Sequence, residues 1–142
     1  MDSRQFVVMT KQYAVDEVVV EVVGALKAPR LPVDQQVVHN DVEQSISKWI
    51  NDHSLVERQR SEWFNQLTEE SRKMVRAILE DCAERAVASF FTLLDGVGGA
   101  YEGVFEVVAV DSEEQRSVLN PTNTELLHDL FSEVREEGRQ KT

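Results

Sequence analysis

Apolar residues recur along most of this chain at helical spacing. Val15, Val18, Val19, Val22, Val23 and Leu26 fall at positions i, i+3, i+4, i+7, i+8 and i+11 of one face, a period that outweighs the strand preference of valine. The spacing predicts a helix over about 14–27, with room for an earlier start. "APRLPVD" ends it, because Pro29 and Pro32 cannot continue a helix and push the residues before them toward extended backbone. Asp34 is placed to cap a second helix in which Val38, Val42, Ile46, Trp49 and Ile50 share a face, ending near "NDHS". Val56, Gln59, Trp63 and Leu67 mark a third. Thr68, followed by Glu69 and Glu70 at the positive end of the helix dipole, opens a fourth that runs to about Leu94.

In that fourth helix the apolar positions come in pairs: Met74/Val75, Ile78/Leu79, Cys82/Ala83, Ala86/Val87, Phe90/Phe91 and Leu93/Leu94. So wide a stripe predicts a central buried helix against which the others pack. The period then changes. "GVFEVVAV" is β-branched and aromatic, and "RSVL" follows the acidic turn "DSEEQ", which predicts a two-stranded hairpin over 103–119. "NPTNTE" supplies a turn and a helix start, with Thr122 and Glu125 at capping-box spacing. The last helix, about 124–137, would bury Leu126, Leu127, Leu130, Phe131 and Val134. The expected fold is mainly α within an α+β class: a single-domain helical bundle of about five helices over residues 1–142, with one small β-hairpin near 103–119.

Four of the six glycines lie between residues 96 and 103, in "FFTLLDGVGGAYEGVFEVV". A phosphate-binding loop needs GxxxxGK[ST] between a strand and a helix. Gly98 and Gly103 have that spacing, but Val104 and Phe105 replace the Lys and Ser/Thr, the helix precedes the strand, and Asp95 and Glu102 would repel an anion. The stretch therefore serves as a turn, with Gly96 as the left-handed residue that ends the helix. Asp95 sits at the negative end of that helix, where an exposed carboxylate costs about 0.3–1 kcal/mol. Either N–H groups of the following glycine loop compensate it, the commoner arrangement for aspartate in turns, or it pairs with a cation such as protonated His128.

Composition narrows the function. The chain has 142 residues, 42% of them hydrophobic and 29% charged, which is ordinary for a globular protein. Its single cysteine, Cys82, excludes an intramolecular disulfide and fits a reducing compartment. No segment has the length of a signal-peptide core or a membrane span, and a cytoplasmic location is expected. The net charge of −11 argues against nucleic acid or an anionic membrane as a direct partner and favours a basic protein. Between residues 95 and 137 eleven acids face two arginines, a local net of −9. On the last helix Glu125, Asp129, Glu133 and Glu136 fall within a narrow arc, where each i, i+4 like-charge pair costs about 0.2–0.5 kcal/mol. That row is a candidate binding face. Earlier helices instead interleave opposite signs: Arg58 with Glu62, Glu69 with Lys73, Arg76 with Glu80, Asp81 with Arg85.

Catalytic chemistry has little to build on. His128 and Asp129 flank the apolar stripe of the last helix on opposite sides, so Asp95 and His128 are the candidate catalytic residues. His39 and Glu43 stand at i and i+4 with no third ligand placed by spacing, so no metal and no cofactor is expected. His53, near a helix end, would meet the last carbonyls. Cys82 lies in the apolar stripe, and Trp49 and Trp63 on apolar faces, all three as core residues.

The segments "SFFTLLDGV", "GVFEVVAV", "VLN" and "LLHDLF" together resemble a pattern found in small, uncharacterised bacterial proteins, over about residues 89–131. The resemblance implies that Asp95, Gly96, His128 and Asp129 belong to one pattern gathered around the hairpin, and it carries no activity. The expected function is protein binding without catalysis, the neutralisation of a basic partner in the manner of an immunity protein or antitoxin. The alternatives are a small hydrolase or metal-dependent enzyme with its site near Asp95 and His128, and a homo-oligomer assembled through the valine-rich N-terminal helix.

Overall fold

Mainly helical structure with one antiparallel hairpin follows from these periods, and the computed structural model has that architecture. It describes residues 1–28, 41–97, 105–121 and 124–140, with backbone alone for 41–53. Asp34, Pro29, Pro32, Gly98, Gly103 and Thr122 lie outside the described residues, as do the side chains of His39, Glu43, Trp49 and His53.

The N-terminal helix starts earlier than residue 14. Asp2 caps α1 (Ser3–Lys11): its Oδ1 accepts the Gln5 N–H at 2.7 Å while Gln5 Oε1 accepts the Asp2 N–H at 3.0 Å, a reciprocal capping box. A π-helical segment, Gln12–Glu17, leads directly into α2 (Val18–Lys27). Lys11 pairs with Asp16 at 2.7 Å, and Gln12 with Glu17 at 3.3 Å, both at the i, i+5 spacing that a π-turn brings together. The π-turn also has a packing consequence. Val7 and Val15 would stand about 80° apart on an uninterrupted α-helix, and the one extra residue of a π-turn subtracts about 100°. Both are fully buried in the same core.

The second and third expected helices are one, α3 (Asp41–Gln66), so "NDHS" is not a break and His53 lies within a helix rather than at its end. Thr68 caps α4 (Glu69–Leu94) as expected, accepting the Ser71 N–H at 3.2 Å. Strands β1 (Val108–Val110) and β2 (Arg116–Val118) pair antiparallel with Ala109 opposite Ser117. The turn between them is held by Asp111, whose Oδ1 accepts the N–H groups of Glu113 and Gln115, each at 2.9 Å. Finally α5 (Leu127–Gln140) begins later than 124 and buries Leu127, Leu130, Phe131 and Val134, while Leu126 is exposed. No helix among the described residues is long and apolar enough to cross a membrane.

Contacts divide the chain into two compact units, 1–18 with 79–142, and 19–78. In the first, Phe91 is the centre: its ring meets Phe6 edge-on at 5.8 Å and Phe131 at 5.6 Å, with Val7, Val15, Leu127, Leu130 and Val134 around them. A carboxylate is buried beside this core. Glu84 of α4, its side chain 3% exposed, bonds Arg139 of α5 at 2.9 Å and lies 3.8 Å from Arg135. In the second unit, Phe64, Val19 and Val23 are buried and the Arg72 guanidinium lies over the Phe64 ring at 5.8 Å.

Two expectations about burial are corrected. Among the described side chains of α3, Ser54, Ser61 and Phe64 are the buried ones, and the apolar Val56 and Trp63 are left outside, Trp63 at 53% exposure. Small serines allow close packing, and hydrophobic periodicity does not register them. The paired stripe of α4 also divides. In every pair the second member is buried or half-buried and the first, Met74, Ile78, Cys82, Ala86, Phe90 or Leu93, is exposed. Cys82 is therefore a surface thiol.

Candidate functional site at the α4–α5 junction

Leucines and phenylalanines carry α4 up to Leu94, where Gly96 turns the chain with φ of 70°. The Gly96 N–H reaches the Leu93 carbonyl at 3.1 Å and the Val97 N–H the Thr92 carbonyl at 3.0 Å, the two bonds of a Schellman ending. Gly96 thus has the turn role expected of it. A side chain at this position would force a strained left-handed residue. Asp95, immediately before it, has its side chain fully buried at the negative end of α4.

Its compensation comes from α5. Asp95 Oδ2 accepts the backbone N–H of His128 at 2.9 Å and faces His128 Nδ1 at 2.8 Å. An ionised carboxylate only accepts hydrogen bonds, so Nδ1 carries the proton. His128 is the second residue of α5, and Asp95 therefore acts as that helix's N-cap from 33 residues away. Of the two expectations for Asp95, the contact with His128 is found, while the glycine loop that the other invokes lies outside the described residues from Gly98 to residue 104. One carboxylate serves two helix ends: unfavourable at α4, favourable at α5.

The rest of the ring completes the arrangement. His128 Nε2 lies 3.5 Å from Asp129 Oδ1, and the His128 side chain is 25% exposed. Both ring nitrogens thus face carboxylate oxygens. Asp95 Oδ1 is buried and has no hydrogen-bond partner among the described residues.

Asn120 fixes the hairpin to the same place. Its Oδ1 accepts the Val107 N–H at 2.8 Å, and its Nδ2 donates to the carbonyls of Phe105 at 2.6 Å and of Leu94 at 3.4 Å. The Leu94 carbonyl is one that the end of α4 leaves without a helical partner. Asn120 also replaces part of the ladder, and the strands are only three residues long.

The acidic row is less bare than its sequence spacing implies. Arg4, in the first turn of α1, bonds Glu133 at 3.3 Å and Glu137 at 2.5 Å. Glu136 has no ion pair among the described residues, and Asp129 meets only the His128 ring. Glu125 precedes α5, and its carboxyl titrates above the usual carboxylate range. Lost hydration raises it first, followed by the negative charge of Glu133, a side-chain hydrogen bond with Glu133 and the charge of Asp129, with Arg4 opposing. Exposed apolar side chains belong to each segment that meets here: Leu93, Val97, Phe105 and Leu126.

Asn120 and Arg4 hold this junction and Glu84 the core beside it, and the apolar periods single out none of the three. A base in the first turn of a helix opposes the dipole and signals an acid nearby, which identifies Arg4. Glu84, an acid between Ala83 and Val87, was equally visible as an interruption of the buried row. Of the four i, i+4 ion pairs expected, Glu69 with Lys73 and Asp81 with Arg85 form among the described residues. No protein family, curated protein or solved structure matches the chain.

Two predictions follow from this geometry. Asp95→Ala removes the cap and the ring bond together and should cost about 2–3 kcal/mol in urea unfolding, whereas His128→Ala, which keeps the backbone N–H bonded, should cost about 1 kcal/mol. Equal losses would contradict the double role of Oδ2. For Glu125, a raised folded-state pKa means its favourable contribution is present below the ordinary value near ~4.3 and lost as pH rises through the folded value. Glu125→Gln should therefore raise Tm relative to the parent at pH 7, with the difference vanishing at acid pH; the opposite trend would reject the assigned crowding.

Proposed function

We propose that the chain is a protein-binding module of the cytoplasm whose docking surface is the acidic side of α5 beside its junction with α4, suited to a basic partner. The observation that carries this reading is that exposed acids on this side of α5 meet no cation among the described residues: Glu136 has no ion pair and Asp129 meets only the His128 ring. The Glu125 carboxyl beside them is raised by lost hydration first and then by Glu133 and Asp129, with Arg4 opposing, and a cationic side chain brought against it would relieve the part that is due to charge. Asp129 and Glu136 extend the same side of the helix. Exposed Leu93, Val97, Phe105 and Leu126 in the adjoining segments supply the apolar component that protein interfaces combine with a charged rim. The finer form of the proposal is neutralisation of a nucleic-acid-binding partner, such as a nuclease-type toxin, by an immunity- or antitoxin-like protein. Charge complementarity of this kind accelerates encounter and selects the partner.

The competing enzymatic reading draws less support from the same atoms. A catalytic Asp–His pair leaves the far ring nitrogen facing the substrate or nucleophile, and here that nitrogen faces Asp129. Asp95 is committed to capping a helix.

Capture of partners from lysate of the source cells, at low and high salt, tests the proposal. Asp129→Lys with Glu136→Lys leaves the Arg4 bonds of Glu133 and Glu137 in place. A basic protein retained at low salt by the parent should be lost from this variant and released from the parent at high salt. Undiminished capture by the variant would reject the acidic face.

A further inference from the structure

A groove of about 330 Å³ opens between α2 and α3, lined by Glu21, Val22, Ala25 and Leu26 from the first and by Glu57 and Arg60 from the second. That volume is within the range of small-molecule sites. Every lining residue belongs to the unit of residues 19–78. Val19 and Val23, four residues apart, are the buried row of α2, which leaves Val22 and Leu26 as the row beside it. Ala25 is small, and the space that a longer side chain would fill stays open. Asn65 Nδ2 donates to the Lys27 carbonyl at 3.2 Å and ties the end of α2 to α3.

The charges of the groove are not used by the chain itself. The side chains of Glu21, Glu57 and Arg60 form no ion pair or hydrogen bond among the described residues, although Glu57 and Arg60 stand at the i, i+3 spacing of helical neighbours. Glu57 Oε2 is buried without a hydrogen-bond partner. A buried acceptor that lacks a donor is costly, and a donor seated in the groove would supply the missing bond. The chemistry of the lining selects that donor. Two carboxylates favour an ammonium, the guanidinium fork of Arg60 favours a carboxylate, and Val22, Ala25 and Leu26 favour an aliphatic body. Residues at i, i+3 have Cβ atoms about 5–6 Å apart, close enough to hold two opposite charges carried by one ligand carbon. A simple amine would leave Arg60 facing a like charge, and a simple carboxylate would do the same to Glu21 and Glu57.

We propose that this groove is a binding site for a free α-amino acid with an aliphatic side chain. Glu57 and Glu21 hold its ammonium, Arg60 its carboxylate, and Val22, Ala25 and Leu26 its side chain. The site shares no residue with the acidic side of α5, so neither proposal depends on the other.

Titration of the isotope-labelled full chain with L-leucine, followed by NMR, tests the proposal. The methyl signals of Val22, Ala25 and Leu26 should shift and saturate, with a Kd on the order of 1 mM or tighter. Isoamylamine, which is leucine without its carboxylate, and isocaproate, which is leucine without its ammonium, should each bind at least ~10-fold more weakly. Arg60→Gln should erase the preference for leucine over isoamylamine, and Glu57→Gln the preference for leucine over isocaproate. A merely structural role for either side chain would move neither preference. Ala25→Phe, at an exposed position, should fill the groove and remove the leucine response while the circular dichroism spectrum stays unchanged. Absence of a saturable response to leucine would overturn the proposal. So would isoamylamine or isocaproate binding as tightly as leucine, or leucine binding undiminished in Glu57→Gln.

Discussion

A carboxylate at the C-terminal end of a helix is in the wrong field, and it tolerates that position only when something nearby supplies the opposite one. Asp95 obtains it from the first turn of α5, through the His128 N–H and the His128 ring. The bond decides where α5 starts, two residues beyond Glu125. With α5 starting there, Leu127, Leu130, Phe131 and Val134 are buried and Phe131 meets Phe91. The same anchoring places Glu133 and Glu137 within reach of Arg4 on α1. Asn120 then closes the junction by spanning the hairpin base and the last carbonyl of α4. Each of these contacts presupposes that α5 begins beside Asp95.

Charge in this protein is therefore of two kinds. Asp95 and Glu84 are buried acids with defined partners, and losing a partner would strand a desolvated charge. The acids of the α5 surface are exposed and only partly offset, and the Glu125 carboxyl is raised by lost hydration and then by the charge of Glu133 and Asp129. Structural requirements account for the first group and not for the second. A row of exposed acids along one side of α5, in a stretch whose acidic excess also includes the hairpin, is a feature that a basic partner would exploit, and it is the basis for the proposed function.

Much of the architecture was legible from the chain. The valine period gave the N-terminal helix, Thr68 marked the start of α4, Gly96 its end, and "DSEEQ" the hairpin turn. What failed has physical causes. The capping of α5 by Asp95 is a contact across 33 residues, and local signals such as Thr122 with Glu125 cannot reveal it. Among the described side chains of α3 the buried ones include Ser54 and Ser61, which a hydrophobic period passes over. The paired stripe of α4 was read as one wide buried face, when only half of it is buried. Cys82 and Trp63 were misplaced for the same reason: an apolar residue at helical spacing marks a face, and the spacing does not say whether that face is covered. Of the candidate site, the pairing of Asp95 with His128 was visible as a possibility because a C-terminal carboxylate demands compensation. Arg4 carried a signal, a base in the first turn of a helix, whereas Asn120 became evident only from the fold.

The central claim is that Asp95 caps α5 and so ties two helix ends together. Backbone amide exchange of His128, followed by NMR at neutral pH, measures this most directly. The account predicts that this amide, although in the first turn, exchanges as slowly as amides in the middle of α5. Exchange as fast as that of an uncapped first-turn amide would contradict it.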